Sequence, residues 1–185
     1  STLALAPGTL ASTVTANVNN FGTIDLHRGD AAPVNTLTVE GNYAAGSDLI
    51  VDVNLATGAS DQLVINGTAT GNTHVTAING LGDVTAADQI TQLPTVIVTD
   101  PTGGGTFTGM AGTSNAGEGQ LISNELGTEY SWTLNAEGTP IYKAEVSGYT
   151  QMPYANTLLG YDMLGTLHDR VGEQQTWAWD KCEIG

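Results

Sequence analysis

Asp61 to Gly80 reads DQLVINGTATGNTHVTAING, in which Val64-Ile65-Asn66-Gly67 returns as Ala77-Ile78-Asn79-Gly80 thirteen residues later. Val39-Glu40-Gly41-Asn42 has a related sense. A few β-prone residues closed by Asn or Gly, repeated every 12 to 13 residues, suit two all-β solutions. Antiparallel hairpins would use Asn-Gly as a two-residue turn. A parallel solenoid would place the same residues at its corners, where Asn and Gly tolerate left-handed backbone angles and stacked asparagines can pair. The short side-chain repertoire of Thr, Asn, Ala, Val, Ile and Leu favours the solenoid, and the sandwich stays open.

Working outward, Ser12 to Val18, Gly22 to His27, Thr36 to Val39, Asp48 to Val53, Asp61 to Ile65 and Thr73 to Ile78 read as strands. The pattern weakens from Leu81 to Gln92, and Thr95 to Asp100 is a strand ended by Pro101. Gly-rich loop follows, with a short strand at Thr106 to Met110. Thr128 to Asn135 and Ile141 to Ser147 alternate with aromatics around an AEGTP turn, which predicts a hairpin that could cap the stack. After Pro153, Asn156 is an N-cap candidate, and Leu159, Met163, Leu167 and Val171 fall at helical spacing with Leu158 and Leu164 broadening the stripe. Gly160, Gly165 and Gly172 each weaken that helix by about 1 kcal/mol relative to alanine. The expected division is residues 1–126 as coils, 127–152 as the hairpin cap, 153–175 as an amphipathic linker helix and 176–185 as a tail.

The 185 residues are enough for one ordinary domain, and 24 glycines with 12% charged residues point to turn-rich β-structure. Nineteen acidic against four basic residues give a formal charge of −15, which repels polyanions and argues against nucleic-acid partners. A lone Cys182 permits neither a disulfide framework nor a cysteine–histidine metal cluster. Near-absence of cysteine suits export through an oxidising compartment, and a cytosolic protein could look the same. No apolar run reaches helical membrane-spanning length. The opening STLALAPGTL has no initiator Met and no basic leader, which reads as a piece of a longer precursor.

Several stretches together resemble the C-terminal part of the passenger of type V bacterial autotransporters of the pertactin and AIDA-I kind. They are NFGTIDL, NTLTVEGNYAAGSDLIVDV, SDQLVINGTATGNTHV, the EYSWTLN…YKAEVSGY pair and MPYANTLLGYDMLGTLHDRVGEQ. The resemblance implies an all-β right-handed parallel β-helix of few coils, capped by an aromatic hairpin that acts as an autochaperone and followed by a short C-terminal helix. Tyr130, Trp132 and Leu134 match one hairpin strand, and Tyr142, Glu145, Val146 and Tyr149 the next. Leu164, Gly165, Leu167, His168, Arg170 and Gly172 match the approach to the linker. The implied partners are the protein's own upstream passenger and a downstream β-barrel translocator, and the implied location is secreted or outer-membrane-associated in a Gram-negative bacterium. After Gln175 the family pattern gives way to Trp177-Ala178-Trp179-Asp180-KCEIG, without barrel strands.

Arg28-Gly29-Asp30 could serve host-cell attachment from a loop, the basis of an alternative adhesin reading; a turn often holds Gly and Asp for conformational reasons alone. Asp48, Asp52 and Asp61 could form the carboxylate cluster of a carbohydrate-active enzyme or bind calcium. Aspartates at corners more often serve solubility, and calcium-binding glycine repeats are absent. His27, His74 and His168 are far apart in sequence, and no serine has a nucleophile setting. The expectation is a protein with no catalytic residues, no metal and no cofactor.

Overall fold

The computed structural model describes residues 2–4, 10–27, 33–55, 57–78, 93–113, 116–136 and 139–180. They divide into two compact units, Ser1–Lys143 and Ala144–Gly185. In the first unit the strands are β1 (Thr2–Ala4), β2 (Ala11–Val14), β3 (Val18–Asn20), β4 (Thr23–Asp25), β5 (Thr36–Val39), β6 (Tyr43–Ala45), β7 (Asp48–Asn54) and β8 (Ala59–Ser60). They continue as β9 (Gln62–Ile78), β10 (Leu93–Asp100), β11 (Thr106–Gly112), β12 (Glu118–Ser123), β13 (Glu129–Thr133), β14 (Asn135–Ala136) and β15 (Thr139–Pro140).

Up to β9 the pairing is parallel except for the short β8, which pairs antiparallel with β7, and like residues lie opposite like. Leu3, Ile24, Leu49 and Val75 follow one another across β1, β4, β7 and β9. Val14, Val39, Ile65 and Val98 do so across β2, β5, β9 and β10. Inward positions such as Leu37, Val39, Leu49, Val51, Leu63, Ile65 and Val75 are at most 1% exposed. Burying each such aliphatic side chain contributes about 1.5–3 kcal/mol.

Strand β9 is the shared member. One of its edges takes β5, β6 and β7 in turn, and the other takes β10 and β11, all parallel. Sequence reading divided this stretch into two strands around Asn66-Gly67, whereas the chain keeps pairing throughout and changes partner at its bends.

The right-handed parallel β-helix expectation is corrected by the remaining strands. β10 pairs antiparallel with β13, β13 with β12 and β12 with β11, while β11 returns to β9. β9, β10, β13, β12 and β11 thus close into a five-stranded barrel of mixed pairing. Alternation along β11, buried at every second residue, fits one face turned inward. A spacing of turns reports where strands end, not the direction in which they pair.

The expected hairpin of residues 128–135 with 141–147 is also corrected. Both edges of β13 are occupied, by β10 and by β12, so no ladder position remains for a strand at 141–147. Instead β14 and β15 make a small two-stranded turn, Tyr142 makes an isolated bridge to Gly117, and the chain then turns helical. Strand β12 was missed because GEGQLIS carries two glycines and a charge that read as loop.

The second unit is one helix, α1 (Val146–Asp180), of 35 residues rather than a short one. It begins ahead of Asn156 and runs through Pro153, which has no N–H to give to the preceding turn. Hydroxyls of Ser147, Thr150, Thr157 and Thr166 bond carbonyls three or four residues back. Residues 154–166 include Tyr154, Leu158, Leu159, Tyr161, Met163 and Leu164, all at least half exposed. No described helix is long and apolar enough to cross a membrane, which leaves β-barrels unaddressed.

Candidate functional site

Three local arrangements concentrate the chemistry of the β unit. The first is polar and buried. Asp61 is fully buried, and its two carboxylate oxygens accept the backbone N–H groups of Asn35 at 2.8 Å and Asp52 at 2.9 Å. Asn35 in turn donates from its side chain to the Leu26 carbonyl at 3.0 Å. The fully buried Asp52 carboxylate meets His27 Nδ1 at 2.7 Å, with His27 27% exposed. Burial is the largest influence on Asp61 and pushes its carboxyl up to about 6, offset in part by the two N–H donors.

Of the aspartates singled out from sequence, the fold therefore brings Asp52 and Asp61 together and leaves Asp48 exposed on the edge of β7. Asp48 lies opposite His74 in register. Among the described residues no group of three or more His, Cys, Asp or Glu side chains has a metal-binding arrangement. His168 lies in α1, away from His27 and His74 in the chain.

The second arrangement is aromatic. Tyr43 stacks on Phe107 with ring centroids 6.0 Å apart, and Phe107 meets Tyr130 edge-on at 4.9 Å. Tyr130 donates its hydroxyl to the Gly105 carbonyl at 2.8 Å, and burial raises its phenol above the usual value. Asn20 donates to the Tyr43 hydroxyl at 3.1 Å. Trp132 fills the barrel: it lies opposite Leu93 on β10 and Leu121 on β12. A Cβ on Gly109 of β11 would be 3.0 Å from its ring and 2.2 Å from the Val75 carbonyl oxygen of β9. The indole thus reaches from β13 to Gly109 of β11 inside the barrel. Among the described residues its Nε1 has no hydrogen-bond partner.

Leu134, just past β13, is buried. Val146 is half-buried at the start of α1, whereas Tyr142 and Tyr149 are about 60% exposed. Leu159, Met163, Leu164 and Val171 are exposed positions of α1, and Leu167 falls in the same helix. Arg28, Gly29 and Asp30 lie outside the described residues, as does Cys182.

The third arrangement is a ladder at the corners between β2 and β3, β5 and β6, and within β9. Asn17 Oδ1 accepts the N–H of Asn42 at 2.8 Å, and Asn42 Oδ1 accepts that of Thr68 at 3.0 Å. Asn66 donates to Glu40 at 2.9 Å on the same corner. The asparagines come so close that a Cβ at Gly41 or Gly67 would stand 2.5 Å from the Oδ1 of Asn17 or Asn42. Sequence reading missed the spacing of this ladder, which is 25 and 26 residues. The signal was present in Leu37-x-Val39-x-Gly41 against Leu63-x-Ile65-x-Gly67. Asn42→Ala should cost about 0.5–1.5 kcal/mol, the range for one hydrogen bond, read as a lower denaturant midpoint. An unchanged midpoint would show the ladder to be incidental.

At one side the parallel ladders end open. Among the described strands, β2 pairs only with β5, β3 only with β6 and β1 only with β4, so each keeps one free edge. Leu3, Leu10 and Phe21 beside these strands are 47%, 61% and 81% exposed. At the other side β9 to β13 close on themselves.

Comparison with curated proteins finds 41% identity over 85 residues to "Probable autotransporter YfaL" of Escherichia coli (strain K12), covering 42% of this chain and 7% of that protein. It also finds 30% identity over 184 residues to "Uncharacterized protein YuaQ" of the same organism, covering 88% of this chain and 13% of that protein. The chain thus spans about a tenth of the length of these relatives. Part of it is related to a region of a protein described as an autotransporter. No family model matches the chain, and no solved structure matches it.

Proposed function

We propose that this chain is a non-catalytic segment of a secreted autotransporter passenger, of the pertactin and AIDA-I kind, that forms early and templates folding of the passenger preceding it. Its partners are that passenger and a barrel translocator, and its place is the surface of a Gram-negative bacterium. The single observation that carries the reading is the asymmetry of the β unit. One end is closed by a barrel filled with Trp132, while at the other β1, β2 and β3 each have, among the described strands, one edge without a partner. Unpaired edges are ready-made templates for further strands. Non-local pairing is slow to begin, so an end that is already stable shortens the search for the strands that follow. Relation to the probable autotransporter supports the setting.

The test uses the complete protein in cells. Deleting Gly127 to Gln151 removes β13 and opens the barrel, and should leave the exported passenger degraded by added protease within minutes while the intact protein resists. A passenger that stays resistant after the deletion removes the templating role.

A further inference from the structure

The buried carboxylates are placed where a single proton has leverage over chain connection. Asn35 and Asp52 lie on different strands' approaches, and Asp61 holds the amides of both. Two further backbone bonds close the same junction, from Asp61 N–H to the Asp52 carbonyl at 2.9 Å and from Gln62 N–H to the Asn35 carbonyl at 2.8 Å. Asn35 also reaches Leu26, and His27 reaches Asp52, so both ends of the connection from β4 to β5 are tied to β7 and β9. The titratable groups around Asp61 among the described residues are Asp52 on β7, then His27 beyond it and Asp25, whose carboxylate accepts the His27 N–H at 3.0 Å. Ser60 on β8 and Thr95 on β10 are neutral and bond one another at 2.7 Å.

We propose that Asp61, holding the amides of Asn35 and Asp52, forms a proton-operated clamp that fastens the β4–β5 connection to the strands β7 and β9 more firmly in mild acid than at neutral pH. At neutral pH the clamp holds the Asp61 carboxylate out of water, and this desolvation, with a smaller contribution from the neighbouring Asp52, opposes closure. A proton on Asp61 removes that charge and leaves an oxygen to accept an amide.

The sign follows from proton binding. Asp61 in the fold holds its proton up to about pH 6, whereas the unfolded chain releases it near 3.8. The folded state therefore binds more protons in that window, and its stability rises as the pH falls through 6. The effect on the folding equilibrium constant between pH 7.5 and 4 should be about sixtyfold.

Chemical denaturation of this chain and of Asp61→Asn across pH 7.5 to 4 tests it. General relief of the −15 charge acts on both proteins, so the clamp predicts that the wild-type constant rises at least tenfold more than that of the variant. Parallel curves overturn the proposal. Should Asp61→Asn fail to fold, carbon NMR of the wild-type carboxyls decides. An Asp61 midpoint near 6 with the Asn35 and Asp52 amides moving in step supports the clamp, and a midpoint near 4 overturns it.

Discussion

Trp132→Ala should lower the stability of the β unit by about 3–5 kcal/mol, the range for removing a large aromatic from a packed core. The site warrants the upper part of that range. The indole is completely buried, and the strands around it are joined in a closed circuit that cannot collapse inward without breaking ladder pairs. Gly109, beside the ring, has no side chain that could move into the vacated space. Urea denaturation measures the loss as a fall in midpoint at constant slope. Trp132→Phe is the informative companion. It removes an N–H that makes no hydrogen bond among the described residues, so its loss should come from volume alone and be much the smaller. Equal losses for the two variants would mean that packing around the ring is not what holds the barrel.

Gly71→Ala is the second large effect. Gly71 has φ +81, a conformation that costs other residues about 1–2 kcal/mol, and it lies in the middle of β9 opposite Ala45. A Cβ there would fall 2.1 Å from the Ala45 carbonyl oxygen, a backbone atom that cannot swing aside. Overpacking of this kind adds about 1–3 kcal/mol. Gly104 provides an internal control, since its φ is +66 but a Cβ would meet nothing within 4 Å. Gly104→Ala should show the backbone contribution alone. If both alanines destabilise equally, the close approach of β9 to β6 has no energetic weight.

Much of the strand content was legible because inward positions alternate or run as Val, Ile and Leu. Thr36–Val39 was found at its exact bounds, and Asp48 to Val53 and Thr95 to Asp100 nearly so. Pairing direction was not legible. Glu118–Ser123 and Glu129–Thr133 turn the last part of the sheet antiparallel, and nothing in their residue types distinguishes that from continued parallel addition. The stretch 141–147 has the aromatic alternation of a strand, yet a strand also needs a vacant edge, which is a property of the assembled sheet. The helix start was displaced for the opposite reason: Pro153 is a strong local stop, and the surrounding sequence continues helical on both sides of it.

The buried cluster was half visible. Asp52 and Asp61 stood out as carboxylates, as calcium ligands or an acid/base pair set against a solubility role, because a separation of nine positions gives no sign that one would cap the other's amide. His27 entered as an isolated histidine. Its nearness to Asp52 depends on β4 and β7 lying side by side, with Ile24 opposite Leu49.

Strand β9 carries one more consequence. It pairs with five strands in all, and residues 63–65 and 74–76 have partners on both edges at once. Its amides therefore cannot be uncovered by fraying at either end of the sheet. Exchange with solvent deuterium at Leu63, Ile65 and Val75 should wait for global unfolding and be the slowest in the chain, whereas amides of β2 and β3 should exchange through local opening.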